Sequence, residues 1–448
     1  MGLSGLQIYK LLPKTNCKEC GYPTCLAFGM KLAAKQAELS ACPYVSEEAK
    51  AALEAASAPP IRLVTVGSGE KKVEVGNETV LFRHEKTFYH QPGLFVRLKD
   101  TVPLSEFEAV VEQIREYSIE RVGIELWVDG IAIENASGDA ANFAKYVAAV
   151  RAKTERPLVL IASDPVSMAS ALEQTDGSAP LIYAATTENW NEMAELAAKH
   201  KAPLAVRADG DFGVLAELTE QVKGLGLEDI VLDPGIRDPH GSLVALTQLR
   251  RLALKSNFRP LGYPIVVFPG EGASSAEDEA IQAAQHIAKY AGIIILDHFD
   301  PATIYPLLTL RLNIYTDPQK PIQVSPGLYE ISSPQPDSPL LVTTNFSLTY
   351  FSVAGEVEGS GKPTWLLVAD SEGMSVLTGW AAGKFDAEKI AKSVQQFGIP
   401  NKINHKKIVI PGLVSTILGE LEEELPGWEI LVGPREAIHI PAYLKTWK

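Results

Sequence analysis

Between residues 61 and 315, short apolar runs alternate with amphipathic stretches at a steady pitch, and this alternation constrains the fold more than any other feature of the sequence. Eight runs are predicted to be strands, at 80–83, 122–128, 157–162, 180–184, 203–207, 229–232, 264–268 and 292–296. Eight strand–helix units are the count of a closed (β/α)8 barrel, for which about 250 residues is the usual length. An open doubly wound sheet is the alternative, but no G-x-G-x-x-G turn follows the first run, and this favours the barrel.

Polar residues gather after the sixth and eighth predicted strands, at the face where such a barrel carries its active site. They are Asp233, Asp238, His240, Asp297, His298 and Asp300. One interpretation is a metal or acid–base site. The other is that strand-to-helix loops are normally rich in Asp, Pro, Gly and His, because these residues cap helices and make turns.

The last third of the chain, residues 339–448, repeats the alternation on a smaller scale. Apolar runs at 340–342, 365–369, 408–410 and 429–432 are predicted to be strands of a small parallel sheet. Such a sheet presents ligand-facing loops at the carboxyl ends of its strands. Glycines in these loops would admit a large flat ligand, and the small polar end of the first strand could contact it, but an interaction domain without a cofactor would also contain glycine turns.

Prolines mark the predicted domain boundaries. Repeated prolines between residues 316 and 339 leave no room for a regular helix or a central strand, so 316–338 is interpreted as an extended linker. A second boundary is predicted at residues 57–60, after a short helix that follows Ser46. The resulting domains are 1–57, 58–315 and 339–448, with the linker before the last.

All four cysteines lie within the first 42 residues, so they require one local explanation rather than a disulfide framework. The spacing is Cys17-x2-Cys20-x4-Cys25-x16-Cys42, with a helix predicted at 23–39. Three thiolates within nine residues can surround one side of a metal centre, which favours a 4Fe-4S cluster. A zinc site and disulfides are the alternatives, but structural zinc usually takes two Cys-x2-Cys knuckles and this chain has one.

Charge and hydropathy exclude several classes of partner. The net charge of −14 over 448 residues argues against nucleic acid, because binding phosphates requires clustered Lys and Arg. No apolar run approaches the roughly 18 to 20 residues that a membrane span needs, and the amino terminus lacks the apolar core of a signal peptide. The chain is therefore expected to be cytoplasmic, without a membrane partner.

Two motifs, in a chain with this order of parts, identify a family. The segment Asn16-Cys17-Lys18-Glu19-Cys20-Gly21-Tyr22-Pro23-Thr24-Cys25 with Cys42-Pro43, and the stretch 365–380, together resemble the large (gamma) subunits of corrinoid iron-sulfur proteins of the reductive acetyl-CoA pathway. The resemblance covers essentially the whole length. It implies an α/β protein with a small 4Fe-4S module, a central (β/α)8 barrel and a Rossmann-like corrinoid-binding domain.

The resemblance also implies a function. Members of that family carry a methyl group on the cobalt of a bound corrinoid. They receive it from a methyltetrahydrofolate-dependent methyltransferase and pass it to acetyl-CoA synthase/CO dehydrogenase, while the 4Fe-4S cluster reactivates cobalt to Co(I). They form a heterodimer with a small barrel-shaped subunit. The chain would then be a methyl carrier whose chemistry takes place at cobalt, without a catalytic side chain of its own.

Site residues carry over with the resemblance. The cluster ligands are expected to be Cys17, Cys20, Cys25 and Cys42. The corrinoid contacts are expected to be Leu340, Phe346, Asp370, Ser371, Glu372, Gly373, Thr378 and Gly433.

The sequence lacks the Asp-x-His-x-x-Gly motif of other corrinoid proteins, and the terminal domain has only His405 and His439. Cobalt is therefore predicted to have no protein histidine as its axial ligand. Because a strong axial donor stabilises higher oxidation states, its absence would make Co(I) easier to reach.

Two other functions stay open at this point. A pterin-binding methyltransferase is suggested by the barrel and the sequence Leu232-Asp233-Pro234-Gly235, and it predicts that this chain alone binds methyltetrahydrofolate. An electron-transfer subunit that shares only the cysteine module predicts iron and sulfide without cobalt.

Overall fold

A computed structural model describes residues 5–33, 36–46, 49–50, 53, 59–317 and 322–447. It divides into two compact units: Met1–Ser118 with Trp127–Tyr315, and Ile119–Leu126 with Thr316–Lys448. In the part of the chain that the structure describes, no helix is long and apolar enough to cross a membrane.

The first unit begins with two packed helices, α1 (Gly5–Leu11) and α2 (Cys25–Ala33). They approach closely because the contact is made by glycine: a Cβ atom on Gly29 would lie 3.0 Å from the carbonyl oxygen of Gly5. The helix predicted at 23–39 begins at Cys25, and its described part ends at Ala33. Much of the helix predicted after Ser46, and the boundary between residues 57 and 58, lie outside the described residues.

Eight parallel strands form the barrel of the first unit, each pairing with its neighbours in the order β10-β9-β8-β7-β6-β3-β12-β11. The strands are β3 (Gly93–Lys99), β6 (Gly130–Glu134), β7 (Leu158–Ile161), β8 (Leu181–Ala185), β9 (Leu204–Arg207), β10 (Ile230–Asp233), β11 (Val266–Val267) and β12 (Ile293–Leu296). A parallel bridge between Leu232 and Ile265 joins the two ends of the sheet. The predicted barrel, rather than the open sheet, is confirmed.

Apolar side chains fill the barrel, and a short hairpin closes its amino-terminal end. The hairpin is β1 (Val64–Val66) and β2 (Val73–Val75), whose valines join the same buried cluster as Phe95 and Ile295 of the barrel strands. The surrounding helices are α3 (Leu104–Glu116), α4 (Ala140–Lys153), α5 (Pro165–Leu172), α6 (Trp190–His200), α7 (Phe212–Gly224), α8 (Pro239–Lys255), α9 (Ala276–Ala288) and α10 (Pro301–Tyr315).

Two of the eight strand predictions were wrong. Residues 80–83 form a loop in which Leu81 packs against Phe88 and Tyr290, and the first barrel strand is β3. The run 122–128 is divided between a turn and a hairpin strand: Val122 and Gly123 have positive φ and join β4 (Ser118–Arg121) to β5 (Ile124–Trp127). The run alternates as a strand should, but it pairs locally and the barrel takes β6 instead.

The second unit contains a five-stranded sheet in the order β13-β15-β14-β16-β17. Its strands are β13 (Gly327–Ile331), β14 (Leu340–Thr344), β15 (Thr364–Ala369), β16 (Lys407–Ile410) and β17 (Glu429–Val432). Strands β14 to β17 are parallel, as predicted, and β13 is antiparallel to β15. The helices are α11 (Ser347–Gly359), α12 (Val376–Ala381), α13 (Ala387–Gln396), α14 (Leu418–Glu424) and α15 (Ile440–Leu444).

Each face of this sheet has its own apolar core, because side chains alternate along a strand. Leu340 and Val342 of β14 face one core with helices α13 and α14, whereas Leu341 faces the other with α11 and α15. The four parallel strands have the order second, first, third, fourth. Strand β15 therefore lies on one side of β14, and β16 and β17 lie on the other. The position between β14 and β16 is the switch point where doubly wound sheets bind their ligands.

Part of the interpretation of residues 316–338 as a linker was wrong. Residues 327–331 form β13 and pair with β15 along its length, from Gly327 opposite Val368 to Ile331 opposite Thr364. The prolines exclude a central strand, as predicted, but an edge strand needs hydrogen bonds on one side only. Residues 318–321 lie outside the described part of the chain.

Candidate cofactor sites

A cavity of about 400 Å³ lies at the switch point of the second unit. It opens where β14 and β16 diverge: their ladder has a single pair, Leu341 with Val409, whereas β14 and β15 pair over five residues. Beyond that pair the carboxyl ends of the two strands separate. The walls are mostly apolar, and the lining includes Leu348, Val353, Leu377, Leu413 and Ile440.

Unpaired hydroxyl groups distinguish the end of β14. Thr343, which lines the cavity, and its neighbours Thr344 and Ser347 are almost fully buried, and their side-chain oxygens have no hydrogen-bond partner among the residues that the structure describes. A buried hydroxyl without a partner costs about 1–3 kcal/mol, so three in one strand-to-helix turn require an explanation. A polar group of a ligand in the cavity would provide the missing partner of Thr343.

The loop at the end of β17 closes one side of this cavity. Gly433, predicted as a contact, lines it together with Pro434 and Arg435. Backbones approach closely here: a Cβ atom on Gly412 would lie 2.4 Å from the carbonyl oxygen of Gly433. Glycine at 412 is therefore required by the approach of the two loops.

The predicted turn 370–373 is organised by a residue that the sequence interpretation missed, the buried Asn345. Its Oδ1 accepts hydrogen bonds from the backbone N–H of Ser371 (2.9 Å) and of Gly373 (3.0 Å), and from the Ser371 hydroxyl (2.8 Å). Its amide donates to Asp370 (3.1 Å). Asn345 follows the two threonines of β14, and an Asn after a strand end is the only sequence signal of this role.

The remaining predicted contacts lie at different places. Glu372 pairs with Lys384 on the surface, and Thr378 is exposed on α12 beside Leu377 of the cavity wall. Phe346, half-buried, precedes α11. Leu340 lies at the amino end of β14, fully buried in the core, so the structure does not bring it to the cavity.

Three of the four cysteines contact the small core of the N-terminal helices. Cys25 and Cys42 are buried in it, and Cys20 packs against it half-buried. Cys17 is exposed. The pKa of the Tyr44 phenol is raised chiefly by its hydrogen bond to Glu19, and Cys17 and Cys42 lie close enough to raise that pKa further. All four thiols are free. The described residues contain no group of three or more His, Cys, Asp or Glu side chains placed to hold a single metal ion.

Asn16 fastens the cysteine loop to α2. Its side-chain Oδ1 accepts from the backbone N–H of Cys25 (2.8 Å), and its own backbone N–H points at the Cys25 sulfur (3.4 Å). Asn16 has φ +50°, a left-handed conformation that Asn tolerates better than most residues. Hydrogen bonds to cysteine sulfur are one of the means by which proteins set the potential of iron–sulfur clusters.

At the carboxyl ends of the barrel strands, two arginines are paired with the acidic residues that the sequence singled out. Arg237 makes two bonds to Asp233 (2.9 and 2.8 Å), and Arg97 makes two to Asp297 (2.7 and 2.8 Å). Glu271 joins the arginines by accepting from both. The ring of Phe268 lies 5.4 and 5.0 Å from the two guanidinium carbons.

Titration behaviour follows from this pairing. Burial by itself would raise the pKa of Asp233, but the bonds from Arg237 and Tyr183 outweigh it and hold that pKa below its usual range. Burial, together with the charge of Asp233, raises the pKa of Tyr183. Asp238 caps α8, as the alternative interpretation of these loops expected. The carboxylates are thus already neutralised by protein groups.

Comparison with known proteins decides the family. A family model described as CO dehydrogenase/acetyl-CoA synthase delta subunit matches residues 63–444. The corrinoid/iron-sulfur protein large subunit of Moorella thermoacetica is 46% identical over 446 residues, which cover 100% of this chain and 99% of that protein. The chain belongs to the corrinoid/iron-sulfur protein large-subunit family.

The family extends to archaeal proteins. Acetyl-CoA decarbonylase/synthase complex subunits gamma of Archaeoglobus fulgidus and Methanothermobacter thermautotrophicus are each 37% identical, with 98% and 99% of their lengths and 99% of this chain covered. A model for an Fe-S cluster matches residues 12–44, which contain the four cysteines of this family member. Among solved structures, a 7,8-dihydropteroate synthase from Vibrio fischeri covers 57% of the chain and 100% of its own length, at 14% identity and a TM-score of 0.40, a resemblance too distant to bear on function.

Proposed function

We propose that this family member is a methyl carrier that binds a corrinoid in its terminal unit and a 4Fe-4S cluster in its N-terminal module. The observation that carries the proposal is the apolar cavity at the switch point, with Thr343 unpaired in its wall and two more unpaired hydroxyls beside it. It occurs in a chain whose Moorella thermoacetica relative is named a corrinoid/iron-sulfur protein large subunit.

The residues of the cavity fit part of a corrinoid. Apolar walls suit the flat or hydrocarbon portions of the cofactor, and the Thr343 hydroxyl in the wall suits an amide side arm, since a hydroxyl can both donate and accept. At about 400 Å³ the cavity is of a size that takes a drug-sized group, well below a whole corrinoid. The rest of the cofactor would lie outside it, against the exposed side chains of Leu348 and Leu377 and against the small subunit.

We further propose that no histidine of this chain binds the cobalt. His405 precedes β16, at the end of the strand away from the cavity, where its ring bonds the carbonyl oxygen of Ser338 and the backbone N–H of Lys407. His439 is exposed at the start of α15. Neither ring lines the cavity within the described residues.

The cysteine module fits an iron–sulfur cluster by the chemistry of its thiols. Cys17, Cys20, Cys25 and Cys42 would supply four soft ligands, of which Cys25 and Cys42 are buried and Cys17 is exposed. The Cys25 sulfur already receives an N–H from Asn16. When bound, the cluster would supply the electron that returns oxidised cobalt to its methyl-accepting state.

When bound, the corrinoid would accept the methyl group of methyltetrahydrofolate from a partner methyltransferase and yield it to acetyl-CoA synthase. The protein would bind the cofactor, limit water and leave the reactive face accessible. Asn345 contributes by fixing the turn 370–373 beside the site. The exposed apolar rim, Leu348 and Leu377, would be covered by a partner.

The test is anaerobic purification with the small subunit, corrinoid reconstitution, elemental analysis and a visible spectrum. About one cobalt and four irons per chain supports the proposal. Iron without cobalt would leave an electron-transfer subunit, and tight binding of methyltetrahydrofolate by this chain alone would favour a methyltransferase.

The role of the cluster has its own test. Cys20→Ala should remove the cluster yet spare methylation of protein whose cobalt has been reduced beforehand, while reductive reactivation slows. Equal loss of both activities would contradict the assigned role.

A further inference from the structure

A second cavity in the terminal unit, of about 380 Å³, lies at the opposite end of the sheet from the first. Its walls come from the segments that precede three neighbouring strands, β14, β15 and β16, and from Trp447 near the end of the chain. Two lysines line it, Lys362 before β15 and Lys407 at the start of β16. The amino ends of the strands therefore surround a basic cavity, whereas the cavity at their carboxyl ends is mostly apolar.

This part of the sequence is basic although the chain as a whole is acidic. Residues 389–419 contain five lysines and no Asp or Glu, whereas the net charge of the whole chain is −14. Three of these lysines, Lys402, Lys406 and Lys407, lie within the six residues that end at the first residue of β16. Cationic groups concentrated in this way attract anions to one place on a protein that otherwise repels them.

Hydrogen bonds hold the cavity wall in a fixed shape. His405 Nε2 donates to the carbonyl oxygen of Ser338 at 2.9 Å, so its Nδ1 accepts from the backbone N–H of Lys407 at 3.1 Å. The Trp447 indole donates to the carbonyl oxygen of Asp337 at 3.2 Å, and its ring centroid lies 5.4 Å from that of His405. Both rings thus fasten the segment before β14, and a ligand would enter a site that is already formed.

Several donors in the lining are available to a ligand. Within the described residues, the Lys362 ammonium has no ion-pair partner and the Asn404 side-chain amide has no hydrogen-bond partner. Lys407 lies 3.4 Å from Glu429, but the two side chains are 39% and 57% exposed, and such a pair contributes little in water. The Lys407 ammonium also lies 5.8 Å from the ring centroid of Trp447, which places it at the cavity.

We propose that this cavity binds a small anion that carries a phosphate group. Lysine ammoniums act as point charges that suit phosphate, whereas planar carboxylates are usually recognised by the parallel N–H groups of an arginine. No arginine among the described residues lines this cavity. Its volume falls in the range of small-molecule sites. The inference goes beyond the proposed function and does not depend on it, because the candidate corrinoid site lies at the other end of the sheet.

Asp337 gives the proposal a test by sign. Its exposed side chain also lines the cavity, so its carboxylate would repel a bound anion and attract a bound cation. Removal of this charge should therefore strengthen the binding of an anion and weaken the binding of a cation.

The experiment measures anion binding to the full-length protein by calorimetry at low ionic strength. The probes are inorganic phosphate, pyrophosphate, AMP and succinate, a dicarboxylate whose charge is similar to that of phosphate. Lys362→Gln and Asp337→Asn change the lining. Lys406→Gln is the matched control, because the exposed Lys406 does not line the cavity and its ammonium lies beside Gly427. Tryptophan fluorescence of wild type and Trp447→Phe reports where the anion binds.

Wild type should bind phosphate and pyrophosphate, and Lys362→Gln should weaken both about tenfold, because a charge-assisted hydrogen bond is lost. Asp337→Asn should tighten both roughly threefold, and Lys406→Gln should stay within about twofold of wild type. The fluorescence change on binding should be absent in Trp447→Phe. Tighter binding of AMP than of phosphate assigns the phosphate to a nucleotide, and equal or weaker binding assigns it to the free ion, and each result supports a phosphate site.

Four results would overturn the proposal. They are no binding of any phosphate compound by wild type at millimolar concentration, succinate binding as tightly as phosphate, equal losses in Lys362→Gln and Lys406→Gln, and weaker binding by Asp337→Asn. The third would mean that the anions respond only to the general charge of the segment. None of these results involves the corrinoid, so the proposed function is tested separately.

Discussion

The barrel and the terminal sheet both present the carboxyl ends of parallel strands, yet the two ends are built in opposite ways. In the barrel, Asp233 and Asp297 are paired with arginines in the protein. In the terminal sheet, the hydroxyls of Thr343 and Thr344 at the end of β14 have no hydrogen-bond partner within the described part of the chain, and Thr343 lines a cavity. Polar residues at strand ends therefore indicate a ligand site only when their hydrogen bonds are not already made within the chain.

The largest expected effect comes from breaking the barrel network. Arg237→Ala leaves the fully buried Asp233 without its main partner, which should lower the free energy of unfolding by about 3–5 kcal/mol, because an uncompensated buried charge is costly. Denaturant unfolding measures this.

Corrinoid binding should be retained under conditions where the Arg237→Ala variant is folded, if the barrel network is structural. Lys392→Ala, which removes an exposed pair with Glu388, is the control and should leave the unfolding midpoint unchanged. Loss of cofactor by folded Arg237→Ala protein would show that the two strand ends do not differ as described.

A second prediction concerns His286 on α9, a barrel helix, whose burial lowers its pKa to about 4. In the unfolded chain the His286 imidazole takes up a proton near pH 6.5, whereas in the folded protein this side chain stays uncharged at that pH. Stability should thus fall as the pH drops from about 6.5 towards 4, by up to about 3 kcal/mol, and be recovered above that window.

Unfolding of wild type and His286→Met across this pH range tests the assignment. The variant should lose this component of the pH dependence, whereas His240→Ala, at an exposed histidine, should keep it. Parallel curves for wild type and His286→Met would contradict the prediction.

Thr343→Val tests the terminal cavity directly. Replacing an unpaired buried hydroxyl with a methyl group should raise the stability of the cofactor-free protein by about 1 kcal/mol and weaken corrinoid binding about tenfold. Thr219→Val is the matched control, because the buried Thr219 hydroxyl already donates to the carbonyl oxygen of Leu215 at 2.7 Å. That variant should not be stabilised. The same sign for both variants would show that the missing hydrogen-bond partner is not what distinguishes Thr343.

The last prediction concerns the cysteine loop, where Asn16 already pairs with the backbone of Cys25. Asn16→Ala removes the acceptor of the Cys25 N–H and places Ala at a positive φ, which should cost about 1–2 kcal/mol and speed loss of the cluster to a chelator. Asn16→Asp keeps the acceptor and should behave close to wild type. Asn16→Gly relieves the backbone alone, so wild-type behaviour of the Gly variant would show that the hydrogen bond is unimportant.

Periodicity predicted much of this fold because it is a local property. Alternating apolar runs and amphipathic helices were enough to predict six of the eight barrel strands and the parallel terminal sheet. The spacing of Cys17 to Cys42 predicts one shared site. Errors arose where the choice of strand partner, rather than the pattern along the chain, decides the structure. Residues 327–331 form an edge strand because they pair with the outer side of β15. Part of the run 122–128 forms β5, which pairs with the neighbouring β4 instead of joining the barrel.

The cofactor contacts show the same division more sharply. Gly433 was predicted from its place in a loop tip and does line the cavity, whereas Leu340, in the same strand as Thr343, lies at the other end of it. The sequence by itself determined which elements form and where polar residues follow strands. Only the tertiary structure decided which of those residues already have hydrogen-bond partners within the protein. Asp233 pairs with Arg237, four residues away, and with Tyr183, fifty residues away. Contacts between residues so far apart in sequence cannot be predicted from a pattern along the chain.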